Sequence, residues 1–294
     1  MNAVEFARGI VADFPTSAGR PFRVPDPPLL ERRDELVRAA RNLGAGDATE
    51  VAARTWRLWM AARDVAGGRA FLAEVLDGRE PEQSRWRALA LYGDGLFAFW
   101  DDDLEGSRRR NDEALALARQ LDDAEALLFA QLGLSRVAIE DRDHERALDL
   151  AAAAHGLAKP LGEAMEQAPL HMEAQAARLA GDYQTAATLF EQSLALNRRI
   201  DDPSMIPVEL HNLGLVEIHR SDADAAERCF AQLPPADNPY VESLMTLNVA
   251  AVAFCRGDST RARALLENVD GAGFASDDRA ELHWLEEQLG CAAG

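Results

Sequence analysis

Lysine is almost missing from this chain: of 31 basic residues, only Lys159 is a lysine. We read that preference for arginine as the coding bias of a G+C-rich genome. Acidic residues number 50, leaving a formal net charge of -19. A surface with that excess of carboxylates repels phosphate backbones and anionic lipid, which argues against direct work on nucleic acid or a membrane surface. Cysteine is scarce. Cys229, Cys255 and Cys291 are odd in number and widely spaced, which excludes a disulfide framework and offers no metal spacing; the first two sit in apolar helical contexts as core thiols. No stretch approaches the roughly 18 uninterrupted apolar residues of a membrane span. The start, Met1 to Phe14, carries Glu5 and Asp13 and lacks the apolar run of a signal peptide, so a reducing cytoplasm is the expected location. Aromatics make up only 6% of the chain. Alanine and leucine must then do most of the packing, and helices must approach one another closely. β-branched runs are absent as well.

Signatures of catalysis are equally sparse. Gly44-Ala45-Gly46 is too short for a phosphate loop and follows a helix instead of a strand. His144-Glu145 is followed by Arg146, Ala147 and Leu148, so the second histidine of a zinc-protease helix is missing. Gly133-Leu134-Ser135 lacks the closing glycine and the leading strand of a nucleophile elbow. The carboxylates fall mostly on polar helix faces. These gaps predict a noncatalytic chain with no cofactor and no metal.

What the chain does contain is periodicity. Ala186 and Phe190 recur as Ala226 and Phe230, 40 residues later. A short turn precedes each pair, Gly181-Asp182-Tyr183 and Ser221-Asp222-Ala223. The frame extends upstream to Ala147 after Arg142-Asp143-His144, to Ser107 with Gly95 on the helix before it and Ala114 after it, and to Ala70. Downstream it reaches Ala262 after Gly257-Asp258-Ser259. Repetition at this spacing marks a stacked-repeat architecture, in which each unit shelters its neighbour's apolar face. About six helix pairs cover most of residues 47–269.

With Leu213-Gly214 on a first helix and Ala-x-x-x-Phe on the second, the units resemble tetratricopeptide repeats. The spacing is longer than that family's usual one, as in the repeat domains of large LuxR/MalT-type bacterial regulators and of kinesin light chains. The resemblance implies an all-α, α-α superhelix whose small residues sit at close helix crossings and whose phenylalanines fill the groove between hairpins. It also implies a concave groove lined by the first helices.

Two domains are expected. Residues 1–27 form an amphipathic helix, Val4 to Phe14, and an arm in which Pro21, Pro25, Pro27 and Pro28 forbid a helix interior. Residues 28–294 form the solenoid. Helices are predicted over Leu29 to Leu43 and Ala48 to Asp64, after a turn at Gly67-Gly68, and from Pro81 to Asp101. Asp101-Asp102-Asp103 then reads as a helix start, where carboxylates meet the positive end of the helix dipole. Asp277 to Leu289 reads as a solvating cap helix, with Trp284 and Leu289 inward and Glu281, Glu286 and Glu287 outward.

The candidate ligand residues follow from the repeat frame. His171 and His211 are 40 residues apart and so equivalent, and His219 lies about two turns beyond His211. As the family places them, they face the groove, where histidine can donate hydrogen bonds or titrate near neutrality. Asn212 and Asn248 interrupt apolar helices, and an amide offers both donor and acceptor to an extended backbone. Trp56, Trp59, Tyr92 and Trp100 fall on the leading first helices as core or as apolar anchors. Arg136, Glu140, Gln175 and Arg178 project onto the same wall.

The resulting functional expectation is a noncatalytic, regulatory module that binds a peptide or protein segment in its groove. A self-associating scaffold stands beside it, its groove filled by the N-terminal arm or by a second copy as a homodimer. A third reading is an enzyme with a small-molecule pocket around His171 and His211.

Overall fold

The structure, a computed structural model, describes residues 31–78 and 83–290. The helix and arm expected over residues 1–27, Pro81 and Cys291 lie outside the described residues. Within them every regular element is helical. They are α1 (Arg33–Arg41), α2 (Ala45–Thr55), α3 (Arg57–Ala61), α4 (Val65–Leu76), α5 (Arg85–Trp100), α6 (Leu104–Leu121), α7 (Ala124–Glu140), α8 (His144–Ala158), α9 (Glu163–Leu179), α10 (Tyr183–Arg199), α11 (Ile206–His219), α12 (Ala223–Phe230), α13 (Pro239–Cys255), α14 (Ser259–Leu266) and α15 (Ser276–Leu289). A 3-10 turn at Lys159–Leu161 separates α8 from α9. No described helix is long and apolar enough to cross a membrane.

One turn makes the hairpins. Asp64, Asp103, Asp143, Asp182, Asp222 and Asp258 each accept a hydrogen bond from the backbone N–H three residues on, capping α4, α6, α8, α10, α12 and α14. A carboxylate there satisfies a donor that the helix leaves open and meets the positive end of its dipole. The same six residues donate their own N–H to the carbonyl five residues back, at 2.9–3.0 Å, which closes the helix before. This is the Schellman arrangement, with the preceding residue in the left-handed region. Those residues are Arg63, Asp102, Arg142, Gly181, Ser221 and Gly257. One aspartate per hairpin thus ends one helix and begins the next. Only two of the six left-handed positions carry glycine; at the other four the chain accepts roughly 1–2 kcal/mol of backbone strain.

Four residues past each capping aspartate stands a small, fully covered residue: Gly68, Ser107, Ala147, Ala186, Ala226 and Ala262. The helix crossings are close there. The first of these corrects an expectation, since Ala70 is exposed and Gly68 holds the repeat position. Gly67-Gly68 is accordingly not a turn but lies inside α4, because Asp64 already caps the helix. A Cβ on Gly68 would run into the Phe97 ring, and one on Gly214 into Phe230. Phe230 therefore packs on the first helix of its own hairpin. Four residues beyond the small position, Leu72, Asn111, Ala151 and Phe190 are fully buried. Burying a phenylalanine this way contributes about 1.5–3 kcal/mol. Asn111 stands where Leu72 and Phe190 stand in their repeats, and the bare backbones of Gly95 and Gly133 make room for it.

Two expected helices differ in their limits. The stretch expected from Ala48 to Asp64 is divided at Trp56 into α2 and α3. The helix expected from Pro81 starts at Arg85, because the Ser84 side chain caps it.

The chain separates into two compact units, residues 1–173 and 174–294, with the boundary inside α9. The N-terminal unit has a continuous apolar core from Leu36 to Met172. Trp59 stacks on Phe71 at 4.5 Å, and Trp56 meets Tyr92 and Phe97 edge-on at 5.9 Å. In the C-terminal unit, α11 to α15 share a second core that includes Ala226, Leu247, Ala251, Phe274, Leu285 and Leu289. Cys229 is buried, which pushes its thiol pKa up, and Cys255 is half-buried.

Candidate functional site

In the C-terminal unit, α9, α11 and α13 are successive first helices, and their polar side chains converge on α15. Arg178, at the end of α9, has a side chain only 1% exposed. It donates to Glu281 at 2.5 Å and to Asp277 at 3.3 Å. Gln175, one turn earlier, donates to the same Asp277 oxygen at 2.9 Å. His219 closes the other side of Glu281 at 2.8 Å, so one carboxylate bridges α9 and α11. The His219 ring lies flat on Tyr183 at 4.6 Å and meets Trp284 at 4.3 Å.

One step along the wall, His211 Nε2 stands 3.4 Å from Asp278, within ion-pair distance but off hydrogen-bond alignment. Its Nδ1 is 3.2 Å from the Asn248 amide on α13. With Asn248 donating, the ring proton sits on Nε2 and faces Asp278. Tyr240 donates its hydroxyl to Asp278 from the start of α13. Burial pushes the Asp278 carboxyl up, but the contacts from His211 and Tyr240 outweigh it and hold the group below the usual aspartate range. Burial and that same carboxylate push the Tyr240 phenol well above its ordinary value.

The residues of α15 that meet the wall are Asp277, Asp278, Glu281, Trp284 and Leu285. Spacings of three and four put them on one helical face. Four polar atoms of the wall are buried without a hydrogen-bond partner: Gln175 Oε1, Arg178 Nε, His211 Nε2 and Asn248 Oδ1. Among the described residues, no group of three His, Cys, Asp or Glu side chains is arranged to hold a metal ion.

No family model matches the chain, and no curated protein is similar to it in sequence. Solved structures do match. A Rap protein complexed with competence and sporulation factor superposes with a TM-score of 0.66 at 12% identity, over 98% of this chain and 80% of that one. NprR in complex with its cognate peptide NprX gives 0.64 at 14% identity, over 99% and 84%. A signal transduction ATPase with numerous domains from Pyrococcus horikoshii, which carries a tetratricopeptide repeat sensor, gives 0.62 at 14% identity, over 98% and 44%. The fold is that of the tetratricopeptide repeat. At these identities, the similarity extends to the fold alone.

Within this tetratricopeptide-repeat frame, the residues singled out from the sequence go to different places. Gln175, Arg178, His211, His219 and Asn248 come together under α15. Asn212 does not join them; it is buried and donates to the Val208 carbonyl of its own helix. In the N-terminal unit, Trp56, Trp59 and Tyr92 are core residues, while Trp100 is 44% exposed. Arg136 donates to the Tyr92 hydroxyl at 3.2 Å. Glu140 and His171 are half-buried in that unit.

One assignment is corrected. Glu281 points inward, its side chain 12% exposed, because Arg178 and His219 await it. Sequence reasoning also passed over Asp277, Asp278, Tyr183 and Tyr240 as site residues. The available signal was a carboxylate series in register with Trp284 and Leu285.

Proposed function

We propose that this chain is a noncatalytic, cytoplasmic regulatory module that binds a peptide or protein segment on the wall formed by its first helices. The observation that carries the reading is the wall's present load. Gln175, Arg178, His211 and His219 already grip a helical segment, α15, through its side chains, and Asn248, on the next first helix, holds the His211 ring. A surface built to hold one helix by a ladder of donors and rings is suited to hold another. Support comes from NprR, seen with its cognate peptide, and from the Rap protein, seen with competence and sporulation factor; both share this fold over nearly the whole chain. Regulation by such a module acts through the partner it holds.

Panning a displayed library of random peptides tests the reading. Both the full chain and a full-length variant with a loosened last helix, Glu281→Gln with Trp284→Ala, serve as bait. Enriched peptides should lose binding when Asn248→Ala is added. If neither bait enriches any peptide over an unrelated helical protein, the reading fails.

A further inference from the structure

We propose that α15 is a resident ligand of the C-terminal wall, and that the wall's external partner is an acidic amphipathic helix that displaces it. The partner presents adjacent carboxylates, a third carboxylate one turn on and an aromatic ring one turn further. This deepens the peptide-binding reading and rests on it.

The first support is the chemistry of the contact. The face α15 turns to the wall is not the apolar stripe of an ordinary capping helix. It carries Asp277, Asp278 and Glu281 ahead of Trp284 and Leu285. The wall answers with a guanidinium, two imidazoles and the Gln175 amide, while the Asn248 amide holds one of the imidazoles. A ligand of another sign would leave Arg178 buried without its counter-charge, which selects strongly for carboxylates.

The second support is that α15 fits the wall incompletely. With α15 in place, Gln175 Oε1, Arg178 Nε and Asn248 Oδ1 remain buried without a hydrogen-bond partner, and His211 Nε2 has only the off-line Asp278. Each such group is costly away from water. Arg178 is the clearest case, since its side chain is 1% exposed and Nε is left over once Glu281 and Asp277 have taken the other two nitrogens. A helix whose carboxylates accept from Arg178 Nε and His211 Nε2, and whose first-turn N–H groups or side-chain donors reach Gln175 Oε1 and Asn248 Oδ1, outcompetes the resident helix.

The third support is the tether. Between Leu266 and Ser276 the chain runs through Gly271-Ala272-Gly273 and is pinned by Phe274, which is buried against Tyr240. The pin precedes α15; beyond it the helix is held to the hairpin of α13 and α14 by Trp284 against Phe254 and by Arg263 donating to the Leu289 carbonyl, contacts that a swing of the helix off the wall must break. A glycine-flanked joint supplies the backbone freedom for that swing.

The test uses the full chain and a labelled synthetic peptide with the sequence of residues 274–290. Wild-type chain, its wall occupied, should bind the peptide weakly. The Glu281→Gln, Trp284→Ala variant should bind it at least tenfold more tightly. A peptide carrying Asp277→Asn, Asp278→Asn and Glu281→Gln should bind neither. Equal affinity for wild type and variant overturns the proposal, as does a failure of the loosened variant to bind while panned peptides of other chemistry do bind. In that last case the peptide-binding reading survives alone; if nothing binds, both fall. Amide exchange of the wild-type chain guards against a variant that merely unfolds. The amides of α15 should exchange well before those of α11 and α13. Exchange of all three helices as one cooperative unit overturns the proposal.

Discussion

The N-terminal and C-terminal units are made by the same turn, with an aspartate that closes one helix and opens the next, yet they dress their first helices differently. In the N-terminal unit the side chains from the junction of α2 and α3, from α5 and from α7 include Trp56, Tyr92 and Phe129, with Tyr92 5.9 Å from Trp56 and 5.0 Å from Phe129. Arginines lie on the rings: Arg57 sits 4.6 Å over Trp56, and Arg54 4.2 Å over Trp86. Burial pushes the Arg57 pKa down, against the pull of neighbouring acids. In the C-terminal unit the corresponding helices present Arg178, His211 and His219 to carboxylates, with Asn248 behind His211. The capping aspartates and the small residues four positions later fix the backbone. The wall residues between them are free to vary, and there the two units part.

The largest expected break in this comparison comes from Arg178→Met. It leaves Asp277 and Glu281 facing a wall without its cation, at a cost of about 3–5 kcal/mol. Arg136→Met in the N-terminal unit removes one hydrogen bond to a phenol, worth about 1 kcal/mol. Hydrogen exchange resolved by unit measures both. Equal costs would mean that the C-terminal wall is no more electrostatic than the N-terminal one.

A second pair sharpens what the units share. Gly214→Ala and Gly68→Ala each push a methyl group into a phenylalanine ring, which costs about 1–3 kcal/mol. Alanine's better helix propensity returns up to about 1 kcal/mol of that. Both variants should lower the unfolding midpoint by similar amounts. If either is neutral, its hairpin is not closed by the same tight crossing.

The smallest effects are those of pH, and their signs oppose one another. In the N-terminal unit the hydrogen bond to Glu173, at 2.8 Å, raises the His155 pKa against the effect of burial, with Glu166 a further contributor at 3.4 Å. That stabilisation is complete below the ordinary histidine value of about 6.5 and disappears as pH rises through the folded value. Asp278 in the C-terminal unit has a depressed pKa. Its contribution is present above the ordinary aspartate value of about 3.9 and is lost as pH falls through the folded value. Melting temperature against pH for His155→Gln and Asp278→Asn checks this. The histidine variant should flatten the alkaline limb and the aspartate variant the acid limb.

Local chemistry made much of the fold legible. A capping aspartate, the turn before it and a small residue one helical turn later act over a few residues, so their period can be read from the chain. The register slipped only at Ala70, where two adjacent glycines resemble a turn and the cap at Asp64 decides otherwise. The candidate residues on α9, α11 and α13 were visible as polar interruptions of apolar helices, although nothing local separates Asn212, bonded within its own helix, from Asn248, which reaches His211.

The sequence by itself determined that the chain is helical, where its hairpins turn and which small residues lie at the crossings, because capping, backbone conformation and helix periodicity are short-range. The inward turn of Trp284 and Leu289 was legible as well; only the tertiary structure decided that Glu281 goes in with them. A carboxylate on the same helix as Glu286 and Glu287 is polar by every local measure and would be turned to water. It turns inward because Arg178, 103 residues earlier, and His219, 62 residues earlier, stand ready to accept a charge there. A carboxylate's preference between solvent and interior is set by its partners, and partners that distant in the chain are brought together only by folding.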